Sequence, residues 1–136
     1  MGRQIFRVDR VGGAGSDDAV VTVLTAEVDL DLNTEQAAQR ELARLVGADP
    51  VVVDVSAVFV AVVGLRLLLS CIQQVRRSGR PAELIVNPHL RRVACIVGHR
   101  PDELRLTLPD ALAHVRAARG SRQVSATADS GGDRHG

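Results

Sequence analysis

The chain has 136 residues, enough for one domain and a tail. Just under half (46%) are apolar, mostly Val, Leu and Ala, and Phe6 and Phe59 are the only aromatic side chains, which excludes a single-strand nucleic-acid platform built on base stacking. A net charge of +1, with every basic side chain an arginine, excludes strong general attraction to nucleic acid or an acidic membrane.

Met1 to Arg10 contains no apolar core segment, so no secretory signal is expected, and Ile5 to Val8 predicts a short first strand. Gly12-Gly13-Ala14-Gly15-Ser16-Asp17-Asp18 predicts a flexible turn. It is not a dinucleotide loop, because no third glycine follows at the right spacing and no helix opens there. The β-branched run Ala19 to Leu24 predicts a second strand, able to pair with the first as a hairpin. Asn33, with Gln36 three residues on, predicts a helix N-cap. Ala38, Leu42, Leu45 and Val46 then share one apolar face, and Gly47 ends the helix.

Val51 to Val55, bounded by Pro50 and Ser56, has the pattern of a central strand covered on both faces. A second helix is expected from about Gly64 to Ser78, with Leu65, Leu68, Leu69, Ile72 and Val75 inward and Gly79 and Pro81 as its stop. Glu83 to Val86 predicts the next strand. Asn87-Pro88 is a cap followed by proline at the first helical position. Leu90, Val93, Ala94 and Val97 give the third helix its buried face, and Gly98 closes it. Leu104 to Leu108 predicts a last strand, and Pro109 opens a fourth helix with Leu112 and Val115 inward. From Gly120 on, almost no residue is apolar. That stretch cannot bury enough surface to offset its ordering entropy, so residues 120–136 are expected to be a disordered tail behind a domain of residues 1–119. Strands alternating with helices imply an α/β domain whose mixed sheet has about five strands and a parallel portion, with four helices.

Cys71 and Cys95 are not in a metal-ligand or CxxC arrangement. Each sits among aliphatic residues, which predicts two buried thiols in a reducing cytoplasm, with a redox switch as the rival reading. His89, His99, His114 and His135 have no ligand spacing, and no triad or other catalytic constellation is found, so neither a metal, a cofactor nor an enzyme is expected. The longest apolar stretch, Val55 to Leu65, is eleven residues between Asp54 and Arg66. A spanning helix needs about 20, so no membrane insertion is expected.

The order of elements, and residues spread from about Val20 to Arg119, resemble the STAS domain, the fold of bacterial anti-sigma factor antagonists. Thr25-Ala26-Glu27-Val28-Asp29-Leu30 looks like the family's Gly-Glu-(aliphatic)-Asp segment, with Ala26 in place of Gly. Val51-Val52-Val53-Asp54-Val55-Ser56 looks like its central strand. Val86-Asn87-Pro88, followed by Arg91-Arg92-Val93, looks like the strand end and third helix. Between the central strand and the second helix, family members read Phe-(aliphatic)-Asp-Ser-Ser/Thr-Gly-Leu, and a serine just before the glycine is the phosphorylation site. Here the stretch is Phe59-Val60-Ala61-Val62-Val63-Gly64-Leu65, and the approach from Asp54 to Phe59 is one residue short. With Phe59 and Gly64 as anchors, the family Asp falls on Ala61, the phosphoacceptor on Val62 and the second hydroxyl on Val63. From Ala57 to Leu69 there is no Ser, Thr, Tyr, Asp or Glu. A hydroxyl at a helix N-terminus is well placed for phosphorylation, because free N–H groups and the helix dipole stabilise the added charge, but valine has no acceptor oxygen.

The resemblance implies a cytoplasmic, protein-binding regulatory domain whose partner is a kinase-fold anti-sigma factor. Binding would centre on Asp29 and on Ala61, Val62, Val63, Gly64, Leu65 and Arg66. Val62 admits two readings: a permanent mimic of the dephosphorylated state, or a loop whose original partner was lost or exchanged. Asp29 is either part of the binding face or an ordinary acidic loop residue, and Arg66 either a contact to an acidic surface or a solvated side chain. Two other functions stay open: a soluble subunit of a membrane transport assembly, and a small-molecule sensor. Self-association into a homodimer is also left open.

Overall fold

The computed structural model describes residues 4–12 and 20–118. Four strands, β1 (Phe6–Val11), β2 (Val21–Ala26), β3 (Val51–Asp54) and β4 (Ala82–Ile85), form one sheet in the order β1-β2-β3-β4. β1 and β2 pair antiparallel, Phe6 opposite Ala26 and Val11 opposite Val21. β2, β3 and β4 are parallel, with Leu24 opposite Val53 and Val53 opposite Leu84. Helices α1 (Glu35–Leu45) and α2 (Val62–Arg77) connect the parallel strands, and α3 (Pro88–Ile96) follows β4. One turn of 3-10 helix spans Pro101–Glu103, and α4 is helical over 108–118.

Successive strand residues point to opposite faces, and the sequence supplies apolar residues for both. Leu24, Val51, Val53, Ala82 and Leu84 face α1 and α2, joining Leu42, Leu65, Leu68, Ile72 and Val75 in the main core. Val21, Val23, Val52 and Ile85 face the other way, against Ala111 and Val115 of α4. The valine run of β3 is therefore buried on both sides, as its composition requires.

Several expectations need correction. The sheet has four strands among the described residues, not about five. In the stretch expected as a fifth strand, only Arg105 pairs with β4: its N–H donates to Leu84 O (2.9 Å) and its O accepts from Val86 N (2.9 Å). Two residues later Thr107 starts α4, accepting from Ala111 N through its carbonyl (3.1 Å) and from Asp110 N through Oγ1 (3.3 Å). This helix start so close to the pairing residue ends the strand. α1 begins at Glu35 behind Thr34, not at an Asn33 cap. Asp31 builds the turn before it, Oδ1 accepting from Asn33 N (2.9 Å) and Thr34 N (3.3 Å), the local bonding that places Asp in turns. α1 ends at Leu45 with Val46 as C-cap, two residues before Gly47. α2 starts two residues earlier than expected, at Val62. Cys95 is exposed rather than buried, and Cys71 is half-buried. Val97 is exposed as well, since α3 has ended before it. The expected glycine-rich turn falls mostly on residues 13–19, and the expected tail on 120–136; both lie outside the described residues.

Candidate functional site

The three parallel strands all deliver their chain to the same edge of the sheet, where open α/β sheets place binding loops. The segment after β2 and the segment after β3 meet there. Leu30 N donates to Phe59 O (2.9 Å), and Ala61 N donates to Leu30 O (2.8 Å), a one-residue parallel bridge between Leu30 and Val60. Both side chains of that bridge are buried. Asp29 Oδ1 accepts from Phe59 N (2.9 Å), so a carboxylate fastens the two segments from the outside.

β3 leaves the sheet through Asp54-Val55-Ser56. Asp54 Oδ1 accepts from Ser56 N (2.9 Å) and Ser56 Oγ (2.6 Å), and Asn87 Nδ2 donates to Ser56 O (3.3 Å). Asn87 also caps α3, its Oδ1 accepting from Leu90 N (2.7 Å). Asp54, Ser56 and Asn87 are thus positioning residues for the loop: Asp54 and Asn87 bind its backbone, and Ser56 Oγ donates to Asp54.

α2 begins immediately after the bridge. Its N-cap, Ala61, has extended backbone and no side-chain oxygen, and its first turn holds no acidic residue. The free N–H groups there have no side-chain cap. Gly64 lies against Leu30: a Cβ at this position would stand 2.8 Å from Leu30 O and 2.9 Å from Leu30 Cβ. Glycine is required because the helix start and the bridge backbone touch.

The sequence-derived site residues are brought together here, but they divide by depth. Asp29 and Arg66 are exposed, Val62 is 39% exposed, and Ala61 and Val63 are half-buried. Gly64 and Leu65 are buried, Leu65 completely. Leu65 therefore supports the surface from beneath and is not available to a partner. Two residues absent from the sequence-derived set complete the surface. Leu32 is 77% exposed and Phe59 58% exposed. Phe59 had served only as an alignment anchor; as the neighbour of buried Val60 on extended backbone, it had to face outward. Nothing in the helical pattern marked Leu32, which lies in the turn that Asp31 forms. Leu32, Phe59 and Val62 thus bring three large apolar side chains to adjacent backbone segments at one edge. Among the described residues, no group of three or more His, Cys, Asp or Glu is placed to hold a metal ion. No helix among them is long and apolar enough to cross a membrane.

No protein-family model matches the chain, and no curated protein matches it. Solved structures do. An anti-sigma factor antagonist from Mycobacterium paratuberculosis superposes with a TM-score of 0.63 at 26% identity, covering 82% of this chain and 94% of that one. The fold is STAS-like. An uncharacterized protein with a SpoIIAA-like fold from Shewanella loihica aligns over 85% of this chain and 98% of its own, at 17% identity and a TM-score of 0.45. In the STAS-like domain described here, Ala61 ends the loop between β3 and α2, and Val62 and Val63 open α2.

Proposed function

We propose that this STAS-like domain is a protein-binding regulatory module that docks through the sheet edge formed by Asp29, Leu32, Phe59, Ala61, Val62, Val63 and Arg66. The observation that carries the reading is the exposed trio Leu32, Phe59 and Val62 around the start of α2. A cluster of large exposed apolar side chains marks an interaction site more often than a solvated surface. The matching fold of an anti-sigma factor antagonist supports an anti-sigma factor as the partner, and the family resemblance implies that this partner has the kinase fold. On this reading the usual loop position is not phosphorylated, because residues 57–69 offer no hydroxyl.

Val62→Glu places a charge where the trio would be desolvated by a partner. Affinity for the anti-sigma partner, measured by calorimetry, is expected to fall at least ~30-fold, the equivalent of about 2 kcal/mol. Unchanged affinity would remove this edge as the interface. Incubation with the partner and ATP is expected to leave the mass of the chain unaltered, and an added phosphate that weakens partner binding would contradict the reading.

A further inference from the structure

A second surface lies near the other end of α2, away from the loop. The last turns of α1 and the middle of α2 diverge and leave a cleft of about 300 Å³, at the lower end of the ~300–1,000 Å³ typical of small-molecule sites. Leu42, Val46, Leu67 and Val75 line it with aliphatic surface, Gln39, Ser70 and Gln74 add neutral polar groups beside Cys71, and Arg80 is the one charged side chain of the lining. Arg80 reaches back from beyond the end of α2. Its Nη1 donates to the carbonyls of Gly47 and Asp49, the latter at 3.2 Å, and its Nε donates to Ser78 Oγ (3.1 Å). All these partners are neutral. Among the described residues no carboxylate pairs with Arg80, although arginine has five donors and a fixed charge. The guanidinium is therefore held in place at the cleft with its charge uncompensated.

We propose that this cleft binds an amphiphilic carboxylate of the medium-chain fatty acid class. The alkyl chain lies along Leu42, Val46, Leu67 and Val75, and the carboxylate pairs with Arg80. The site fits this class for two reasons. The lining has no aromatic ring on which a planar ligand would stack. A single fixed cation among aliphatic and neutral polar side chains matches a single anion on an alkyl chain, and charge-assisted bonds from arginine to a carboxylate are the strong ones. Burial pushes the Cys71 thiol above the ordinary cysteine range, with Arg80 drawing it partly back. The thiol lines the same cleft as Arg80, so its reactivity reports on what occupies the cleft.

The test uses the full chain and decanoate, with 1-decanol as the uncharged control. Calorimetry is expected to show one decanoate per chain, with decanol at least ~10-fold weaker, a factor worth about 1.4 kcal/mol. Arg80→Gln should remove the preference for decanoate over decanol. Because Arg80 also ties loop backbone together, a second variant keeps it: Ala43→Trp fills the cleft from the exposed face of α1 and should abolish binding of both probes. In a Cys95→Ser background, decanoate should slow alkylation of Cys71 by a maleimide, and the Ala43→Trp change should remove that protection. Absence of decanoate binding to the unaltered chain overturns the proposal. So does equal affinity for decanoate and decanol, or binding that survives Ala43→Trp.

Discussion

At the scale of single residues, two side-chain positions carry consequences out of proportion to their size. Gly64 is where α2 touches the backbone of Leu30, and a methyl group there meets a carbonyl oxygen that already accepts from Ala61 N. Backbone cannot swing aside as a long side chain does. Gly64→Ala is expected to destabilise the domain by about 1–3 kcal/mol, the range for overpacking, seen as an earlier urea midpoint at unchanged slope. Cys71 acts through its proton. Its thiol is raised above the ordinary value of 9.0 by burial, with a smaller opposing effect of Arg80. The unfolded chain therefore releases this proton at lower pH than the folded one. The stabilisation is complete below the ordinary value and is lost as pH rises through the folded one. Denaturation midpoints measured on either side of the ordinary value should show an alkaline decline that Cys71→Ala lessens. The chain has no Lys and no Tyr, so few other groups titrate there. An unchanged slope in the variant would show that the folded thiol is not shifted.

At the scale of elements, the segment after α3 depends on one carboxylate. Glu83 on β4 is 8% exposed and binds two arginines, Arg105 Nε at 2.8 Å and Arg76 Nη2 at 3.2 Å. Arg105 also gives the only backbone pairing of its segment, so the ion pairs and the bridge hold the same stretch against the sheet. Glu83→Ala leaves Arg105, with its side chain 16% exposed, without its carboxylate. A loss of roughly 2–3 kcal/mol is expected, below the full cost of breaking a buried pair because Arg76 is 41% exposed. A chemical-denaturation difference under 1 kcal/mol would make the pair incidental. The same segment shows where the sequence was legible and where it was not. The periodic elements were readable from local pattern: the valine run of β3, the leucine face of α2 and the Asn87-Pro88 start of α3. Leu104 to Leu108 also has strand composition, but it competes with a helix start at Thr107, and only tertiary pairing shows that the strand stops after one residue. The resemblance singled out residues 59–64, which the structure places at the end of the β3–α2 segment and in the first turn of α2. Leu32 was not legible, because its exposure follows from a turn made by Asp31, and Arg80 could not be assigned, since its carbonyl partners at Gly47 and Asp49 lie far along the chain.

At the scale of the whole molecule, the sheet is covered unequally. α1 and α2 shield one face, whereas the other face relies on α4, with Ala111 and Val115 buried over Val21, Val23, Val52 and Ile85. A chain cut after Thr107 would expose those four aliphatic side chains together. It is expected to bind more of a hydrophobic dye and to self-associate more in sedimentation than the full chain; a truncation that matches the full chain in both would show that α4 is dispensable. The opposite end of the layout is the N-terminal strand, whose start is held from α1: Glu41 accepts from Ile5 N (3.0 and 2.8 Å, one to each oxygen) and Phe6 N (3.0 Å). The bridge of Leu30 to Val60 has a further implication. Its two backbone bonds, the Asp29 clasp on Phe59 and the contact at Gly64 leave the segments after β2 and β3 no independent hinge. They move as one body with the first turn of α2. A partner that grips Phe59 alone therefore also loads Leu30 and Gly64, and the ordering that a flexible loop would undergo on contact has already been completed during folding. On the proposed function, recognition at this edge is a meeting of rigid shapes, sensitive to mismatched contours and tolerant of changes in loop composition that leave those contours intact.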